Sequence, residues 1–312
     1  MIQDWYIIIN VRAGSGKTMK EWMPAERILQ RSKINYKSVY TQYKLHAVEL
    51  AREAAEQGYR KILAVGGDGT LHEVFRGIML FCDANAVEPS EFYLGVAPIG
   101  SGNDWIKTMG VPRSTEEVVR LIEADSFGRM DIVRMFHGKD EVSYMANVGG
   151  IGFDSHVCER VNWQKAQGRR HNLIYLRALK HTVLNLRAIN VQIIADGREA
   201  FKGRCLSLAL GNGKYSGGGM CQVPDARIND GMIDAMIVPQ LSIVTLFKEM
   251  PKLLTESINT SKDVKFIRCK ELQIMPLDSA SEDIFEVDGE IEGRLPMTIR
   301  VGKQQINAIK GR

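Results

Sequence analysis

The sequence predicts an α/β fold made of two domains, and two observations carry that prediction. Strand and helix patterns alternate over the first 130 residues, an order typical of a parallel sheet covered by helices. From about Asp131 onward, short β-rich segments dominate instead. The 312 residues suffice for two domains at roughly 100–200 residues each. We therefore expect a Rossmann-like α/β domain with a parallel sheet over residues 1–130. A β-rich antiparallel sandwich domain should follow over residues 131–300, and residues 301–312 could return to the first domain.

In the first domain, apolar runs that end at polar or glycine-rich stretches predict strands, which are Trp5–Asn10, Tyr36–Thr41, Lys61–Val65 and Tyr93–Ala97. Helix patterns lie between or after them, over Lys20–Lys33, 45–57, Leu71–Phe81 and a segment that opens with the capping-box spacing of Ser114 and Glu117. Pro24 is expected near the first turn of its helix, and Gly58 is expected to end the next one.

In the second domain, short runs rich in apolar and β-branched residues predict strands. They are 130–136, 142–148, 189–196, 203–211, 232–238, 264–268, 271–275, 283–287 and 295–301. The dipeptide Asp196-Gly197 indicates a hairpin turn between two of them. Helical stretches around 153–187 and 242–257 interrupt the strands.

Composition narrows the classes of protein to which the chain can belong. Hydrophobic residues make up 45% and charged residues 25%, ordinary globular values that argue against disorder, collagen and coiled coil. The net charge of +4 is too small to indicate nucleic-acid binding by itself. The five cysteines are dispersed without a Cys-x-x-Cys pair, which favours a reducing, cytoplasmic compartment. No apolar stretch reaches the length of a membrane span, so we expect any membrane contact to be peripheral.

The 29 glycines fall in clusters, and the first of them has the context of a phosphate site. Gly66-Gly67-Asp68-Gly69-Thr70 directly follows an apolar strand and directly precedes a helix. Backbone N–H groups and the helix dipole at such a junction favour a phosphate, and glycine lets the backbone approach it. Asp68 is expected to be an exposed carboxylate that could hold Mg²⁺ or orient an attacking hydroxyl. The plainer alternative is a tight turn with Asp68 as a helix N-cap.

Two further glycine clusters follow strands. Pro98 to Asp104 again lies between a strand and a helix, and in a doubly wound sheet such a loop faces the preceding one across a ligand. Alone, it could be a turn with Asp104 near a helix start. In the second domain, Gly211-Asn212-Gly213 and Gly217-Gly218-Gly219 could form a wall against which another molecule or domain lies, or a flexible β-turn.

A fourth segment, Arg12 to Thr18, ends in Gly-Lys-Thr as the Walker A loop of P-loop NTPases does. Val11 stands where that pattern needs a glycine, and no apolar strand ending in a Walker B aspartate is evident. We therefore do not favour a P-loop NTPase.

Taken together, these motifs resemble the diacylglycerol kinase catalytic-domain family, in the order seen there and over almost the whole chain. The resemblance is carried by Asn10, Gly14-Ser15-Gly16-Lys17, Gly66 to Val74, Pro98 to Asp104, Gly211 to Gly213, Gly217 to Gly219 and Asp288-Gly289-Glu290. The chain is similar to the bacterial soluble lipid kinases of that family. Gly-Gly-Asp-Gly-Thr alone is shared with NAD kinases, but the Gly-x-Gly-Asn-Asp loop and the late Asp-Gly-Glu favour the lipid branch.

The resemblance implies ATP in a cleft between two domains and transfer of its γ-phosphoryl group to a lipid hydroxyl, with diacylglycerol as the first choice of acceptor. It implies that Asp68 organises Mg²⁺ and the phosphates and that Asp288 or Glu290 is the general base, although Asp288-Gly289 alone would indicate a hairpin turn. Expected nucleotide-binding residues are Asn10, Thr41, Gly66, Gly67, Asp68, Gly69, Thr70, Leu71, His72, Ser101, Gly102, Asn103 and Asp104.

A structural Mg²⁺ is implied as well. Its ligands would be the Asp230 carboxylate and the backbone carbonyls of Arg227 and Met232, oxygen atoms of the kind that Mg²⁺ prefers. A plain Asn-Asp-Gly turn is the alternative at this position.

Residues 169–187 interleave basic side chains with leucines, and helical spacing would gather an apolar face flanked by cations. That pattern suits either an interface helix on an anionic membrane at the inner membrane face or a helix packed on its own domain. For function, an NAD kinase-like phosphotransferase and a non-catalytic nucleotide- or lipid-binding protein stay open as alternatives, as does a homodimer.

Overall fold

The computed structural model describes residues 2–100, 102–167, 177–178, 181–182, 187–278 and 283–311. They fall into two compact units, Met1–Ile132 with Lys303–Arg312, and Val133–Gly302. The prediction of an α/β fold with a parallel N-terminal sheet and an antiparallel, β-rich C-terminal part is confirmed. The domain limits at residues 130 and 300 stay a prediction.

The first unit is a parallel sheet with helices between its strands. The strands are β1 (Ile2–Ile9), β2 (Tyr36–Tyr40), β3 (Tyr59–Gly66) and β4 (Tyr93–Pro98), and the helices are α1 (Thr18–Arg31), α2 (His46–Glu56), α3 (Asp68–Asn85), α4 (Trp105–Met109) and α5 (Thr115–Glu123). Short 3-10 turns lie at Ala13–Gly16 and Pro89–Glu91. β1 pairs in parallel with β2 and β3, and β3 pairs in parallel with β4. The carboxyl ends of these strands therefore lie along one edge of the sheet.

Buried apolar residues explain why this sheet and its helices form. Ile7, Ile8 and Ile9 of β1 are fully buried, as expected for a central strand covered on both faces. The predicted apolar stripe of α2 is buried throughout, from Ala47 to Ala55. Gly77 of α3 permits a close approach of α2, because a Cβ there would lie 2.4 Å from the Val48 carbonyl oxygen.

Two helix ends test the sequence patterns directly. Ser114 is the N-cap of α5, as predicted, and its Oγ accepts the Glu117 backbone N–H at 3.2 Å. The expectation for Pro24 is wrong, because α1 begins at Thr18 rather than Lys20 and places the proline inside the helix. Since proline has no N–H, one hydrogen bond of the helix is missing there.

The second unit consists mainly of antiparallel strands. After β5 (Phe127–His137), the strands are β6 (Glu141–Met145), β7 (Val148–Gly152), β8 (Ile189–Ala195), β9 (Arg198–Gly211), β10 (Tyr215–Ser216), β11 (Met220–Cys221), β12 (Ile233–Pro239), β13 (Lys265–Cys269), β14 (Glu271–Pro276), β15 (Ile284–Val287), β16 (Glu290–Arg294) and β17 (Met297–Ile309). The helices whose bounds the structure describes are α6 (Phe153–Ala166) and α7 (Ile243–Leu254), with a 3-10 turn at Ile258–Thr260. β5 and β17 contain residues of both units.

The long strand β9 organises this unit. Its first half pairs with β8, and its second half pairs with β7 on one side and β12 on the other. Side chains alternate along β12, so Ile233, Ala235 and Ile237 join the large apolar core while Met236 and Val238 join a smaller cluster on the other face. Asp196 and Gly197 form the predicted hairpin turn between β8 and β9, with φ of 46° and 77°.

Three expectations concern the surface and the chemistry of the chain. The predicted basic helix at 169–187 lies largely outside the described residues, so its role stays a prediction. Within the described part, no helix combines the length and the apolar character needed to cross a membrane. None of the five cysteines, all of which are described, forms a disulfide.

Candidate functional site

In the first unit, Asn10 joins the carboxyl ends of neighbouring strands. Its Nδ2 donates to Thr70 Oγ1 at 2.9 Å, and its Oδ1 accepts the Arg12 backbone N–H at 3.0 Å and the Thr41 hydroxyl at 3.4 Å. Its backbone N–H donates to the Val65 carbonyl oxygen at 3.0 Å. One amide side chain therefore holds together residues that follow β1, β2 and β3, among them the predicted site positions Thr41 and Thr70.

Glycine allows the loop after β3 to lie against the start of α3. A Cβ on Gly66 would lie 2.3 Å from Thr70 Oγ1, so no other residue fits there without a shift. Gly67 is the N-cap of α3 and supplies no side-chain cap, and a Cβ on Gly69 would meet only open space. The N-cap residue of this 18-residue helix thus supplies no side chain to compete for the first backbone N–H groups, an arrangement that favours an anion.

The loop after β4 is held against this first loop by Asp68. Its Oδ2 accepts the Asp104 backbone N–H at 3.0 Å, and its Oδ1 accepts the Trp105 backbone N–H at 3.2 Å. A Cβ on Gly102 would lie 3.0 Å from the same carboxylate. Asp68 therefore caps the start of α4 and links the two glycine-rich loops.

This geometry corrects the expectation that Asp68 is an exposed carboxylate. The side chain is half-buried, and burial raises its pKa, with the nearby Asp104 carboxylate acting in the same direction. Backbone N–H groups of the second loop oppose that rise. The sequence missed this role because the partner N–H groups lie 36 and 37 residues further along the chain.

The second loop also has fixed geometry of its own. Asn103 adopts a φ of 59°, and its Nδ2 donates to the Gly100 carbonyl oxygen at 3.0 Å. The Asp104 side chain is buried and pairs with Lys107 at 2.9 Å. Asn103 and Asp104 thus lie where the sequence predicts them, while Ser101 falls outside the described residues.

Other predicted nucleotide-binding positions are buried in the helix and the strand ends. Thr70, Leu71 and His72 are nearly inaccessible in the first turns of α3, as is Thr41 after β2. The Thr18 hydroxyl is fully buried and donates to backbone carbonyl oxygens of Asn10 and Ala13, 2.8 and 3.0 Å away. Because a Walker A threonine would present its hydroxyl to a metal ion, this burial agrees with rejecting a P-loop.

In the second unit, Asp288 occupies a hairpin turn and binds a neighbouring loop. Asp288 and Gly289 connect β15 to β16 with φ of 51° and 89°, so the simple hairpin interpretation holds for the backbone. The carboxylate in addition accepts three backbone N–H groups, those of Ala146 at 2.9 Å, Asn147 at 2.8 Å and Val148 at 3.1 Å. Asp288 therefore fixes the loop between β6 and β7.

The same loop meets the predicted Gly211-Asn212-Gly213 segment. Backbone N–H groups of Asn212 and Gly213 both donate to the Asn147 carbonyl oxygen, at 2.9 and 2.8 Å, and Asn212 Nδ2 donates to the Ala146 carbonyl oxygen at 3.2 Å. The three glycines at 217–219 form the turn of the β10–β11 hairpin, all with positive φ. Of the two interpretations for that triplet, the structure shows the turn.

The loop at residues 146–148 was missed by the sequence analysis, although a signal was present. Gly149, Gly150 and Gly152 directly follow it, and a Cβ on any of them would lie within 3 Å of a carbonyl oxygen of a neighbouring strand. A cluster of glycines inside a strand marks such a close backbone approach. The glycines at 149, 150 and 152 are therefore the sequence signal for the loop that Asp288 binds.

The sequence patterns did not indicate a half-buried acid in the second unit either. Asp154, in the first turn of α6, is bonded by the Ser207 hydroxyl and by Gln222 Nε2, the latter at 2.8 Å. Burial raises its pKa, and the two hydrogen bonds oppose the rise. Since no motif surrounds Asp154 in the sequence, only the fold reveals its contacts with Ser207 and Gln222.

In the loop that the resemblance assigns to a structural Mg²⁺, the carboxylate already has a cationic partner, and the metal site stays a prediction. Asp230 Oδ1 accepts the Met232 backbone N–H at 3.1 Å, and its Oδ2 pairs with the guanidinium of Arg268 on β13. A guanidinium thus supplies positive charge at the one carboxylate of the expected ligand set, which otherwise has only the carbonyls of Arg227 and Met232. The Asn-Asp-Gly turn is the interpretation that the geometry favours.

We expect millimolar Mg²⁺, without nucleotide, to leave the thermal unfolding midpoint of the wild-type chain unchanged. Replacing Arg268 with Met removes the competing cation, so Mg²⁺ should then raise the midpoint of that variant by a few degrees. The double variant with Asp230→Asn is the control and should not respond. A wild-type midpoint that rises with Mg²⁺ and falls with chelator would contradict this assignment.

The comparisons with known proteins agree with the two-unit fold. Residues 4–135 match the family model described as diacylglycerol kinase catalytic domain. Residues 147–310 match the model described as YegS C-terminal NAD kinase beta sandwich-like domain. These two matches cover both units of the structure.

Named relatives share most of their length with this chain. A protein of Chromohalobacter salexigens named "Probable lipid kinase YegS-like" is 30% identical over 249 residues, which are 78% of this chain and 73% of the relative. A protein of Staphylococcus saprophyticus named "Diacylglycerol kinase" is 26% identical, with 94% of this chain and 91% of the relative covered.

Solved structures support the fold at lower identity. A diacylglycerol kinase structure from Bacillus anthracis has a TM-score of 0.73 at 21% identity and covers 99% of this chain and 97% of its own. Yeast NADH kinase in complex with NADH has a TM-score of 0.56 at 11% identity, covering 99% of this chain and 84% of its own. With both family models matched in order and one relative at 30% identity, the chain belongs to the YegS-like lipid kinases, which carry a diacylglycerol kinase catalytic domain.

Proposed function

We propose that this lipid kinase transfers the γ-phosphoryl group of ATP to the hydroxyl of diacylglycerol, producing phosphatidic acid. The observation that carries the proposal is the pair of glycine-rich loops at the strand ends, which Asp68 links at the start of α3, where the N-cap is a glycine. The name of the Staphylococcus saprophyticus relative, "Diacylglycerol kinase", supports diacylglycerol as the acceptor.

On the nucleotide side, the proposal assigns phosphate binding to the backbone of Gly67, Asp68 and Gly69 at the start of α3. Asn10 and Thr70 position this backbone through their hydrogen bond. Asp68 acts chiefly as a positioning residue, because both of its oxygens already accept N–H groups of the second loop. Mg²⁺ would arrive with ATP and neutralise charge on its phosphates.

On the acceptor side, the proposal assigns the general base to Glu290 rather than Asp288. Three backbone N–H groups already occupy the Asp288 carboxylate, which makes it the support of the turn. Glu290 begins β16 directly after that turn and is half-exposed. It would accept the proton of the lipid hydroxyl as the hydroxyl oxygen bonds to the γ-phosphorus and the bond to ADP breaks.

The test is an acceptor comparison with labelled ATP and the purified chain. Dispersed diacylglycerol, NAD and no acceptor are offered in parallel with Mg²⁺ present. We expect label in phosphatidic acid and none in the NAD product. Transfer to another lipid alcohol alone would refute diacylglycerol as the acceptor, and binding of ATP without any transfer would favour a non-catalytic nucleotide-binding protein.

A second candidate, NAD phosphorylation, rests on the fold likeness to yeast NADH kinase. At 11% identity that likeness concerns the fold alone, so it motivates the NAD arm of the assay and nothing more. For location, we propose a cytoplasmic enzyme that works at the inner membrane face as part of phospholipid biosynthesis, since its five thiols are free and its acceptor would reside in the bilayer.

A further inference from the structure

The outward face of α7 is apolar, although it is exposed. Ile243, Val244, Phe247 and Leu254 are 49%, 76%, 55% and 70% exposed, and Pro251 is exposed with them. At 100° per residue these five positions fall within an arc of about 100° on one side of the helix. Apolar side chains that are clustered and exposed in this way mark an interaction surface rather than scattered surface residues.

The opposite face of α7 explains why the helix forms without a partner. Leu253 packs against the smaller apolar cluster of the second unit. Ser242 caps the helix, with its Oγ accepting the Thr245 backbone N–H at 3.1 Å. Because the inner face and the cap are satisfied, the outer apolar face is not required for folding.

The charges of α7 favour an anionic surface as the occupant. Lys248 is exposed and lies beside Val244 at the edge of the apolar face. The acid of this helix, Glu249, is buried on the inner side and pairs with Lys252 at 2.7 Å. The outward face therefore combines apolar side chains with a cation and presents no carboxylate.

The length of α7 restricts how it could meet a bilayer. Twelve residues at 1.5 Å each give a helix of about 18 Å, shorter than the hydrocarbon core of about 30 Å. Such a helix lies in the plane of the interface, with its apolar face among the acyl chains and its lysines at the headgroups.

From these features we propose that α7 is the surface with which the protein docks on an anionic lipid bilayer. The inference rests on the proposed lipid acceptor, because an acceptor with long acyl chains is presented by a membrane. The helix α7 is separate from the basic stretch at 169–187, and all of the side chains named above belong to residues that the structure describes.

The experiment is sedimentation of the full chain with vesicles of phosphatidylglycerol and phosphatidylcholine, and with vesicles of phosphatidylcholine alone. The wild-type protein should bind the anionic vesicles. Val244→Glu and Phe247→Glu should each weaken that binding at least tenfold, and Lys248→Glu should weaken it on the anionic vesicles only. Met23→Glu, which places the same charge at an exposed apolar residue of α1, is the matched control and should bind within twofold of wild type.

Three outcomes overturn the docking proposal. In the first, the wild-type protein binds neither kind of vesicle. In the second, the wild type and both α7 variants bind the anionic vesicles equally. In the third, size-exclusion chromatography shows that the wild type is a dimer and the α7 variants are monomers, while their vesicle binding is unchanged. The last would assign this face to a second copy of the chain. Unfolding midpoints verify that the variants fold, and Val244→Ser serves as a milder substitution at the most exposed of these positions.

A short-chain diacylglycerol in solution separates failure of docking from failure of the proposed function. With dioctanoylglycerol, the α7 variants should keep the kcat/KM of wild type, because this acceptor does not require a bilayer. Vesicle binding through α7 without phosphorylation of any acceptor would refute the function and leave docking intact. If diacylglycerol is phosphorylated but the α7 substitutions leave vesicle binding unchanged, docking through α7 is refuted and the proposed function stands.

Discussion

Replacing Glu290 with Gln should abolish most phosphorylation of diacylglycerol while lowering stability less than Asp288→Asn does. Glutamine has the same shape but cannot accept the hydroxyl proton, and a general base typically contributes 10²–10⁴-fold to the rate. Glu290 is half-exposed at the start of β16, and glutamine keeps its volume there. The measurements are kcat with saturating ATP and the midpoint of thermal unfolding.

Asp288→Asn is the contrasting variant, because it should lower stability as well as activity. An asparagine retains one oxygen acceptor where the carboxylate accepts three N–H groups from residues 146–148. The loss of charge-assisted hydrogen bonds and the donors left without an acceptor should cost about 2–4 kcal/mol in the free energy of unfolding. If Asp288→Asn instead removed activity without loss of stability and Glu290→Gln stayed active, the two roles would have to be exchanged.

Replacing Asp68 with Ala should weaken ATP binding by about 10- to 100-fold and destabilise the first unit by about 2–4 kcal/mol. The substitution leaves the N–H groups of Asp104 and Trp105 without their acceptor and detaches the second glycine-rich loop from the first. Calorimetric titration with ATP and denaturant unfolding give the two quantities. Glu123→Ala, at an exposed acid of α5, is the control and should change neither by much.

The stability effect of Asp68 should also depend on pH, with a definite sign. Burial raises the pKa of Asp68, so the folded chain holds this proton at a higher pH than the unfolded chain does. Ionisation of Asp68 therefore opposes folding. The stability of wild type relative to Asp68→Asn should fall as pH rises from about 3.9 through the raised pKa. A difference between the two proteins that is constant over this range would contradict the burial of the carboxylate.

Local patterns predicted much of the fold because they depend on neighbouring residues. The Asp-Gly turns at 196–197 and 288–289 and the Ser114 cap involve contacts a few positions apart, and all three are present. The start of α1 was misplaced by two residues, which moved Pro24 from the first turn to the interior. Helix ends are the least constrained part of such a pattern, since the first turn contributes few hydrogen bonds.

The contacts of the candidate site residues could not be predicted from the sequence. The family resemblance selected Asn10, Asp68 and Asp288 as candidates, and their roles in catalysis and binding stay predictions. The sequence could not show that Asp68 binds the backbone of a loop 36 residues away, or that Asp288 binds one 140 residues away. Such long-range partners depend on which strands become neighbours. For the same reason Arg268, which lies 38 residues from Asp230, was not foreseen as its partner.

The hydrogen bonds of Asn10 and Asp68 have a consequence for the thermodynamics of nucleotide binding. They fix the loops after β1, β3 and β4 within the folded chain itself. Conformational entropy of these glycine-rich segments is therefore lost during folding rather than on encounter with a ligand. A phosphate-binding site that is preorganised in this way retains more of its interaction free energy as affinity. Preorganisation is therefore a structural reason for the polar side chains of Asn10 and Asp68 next to the strand ends.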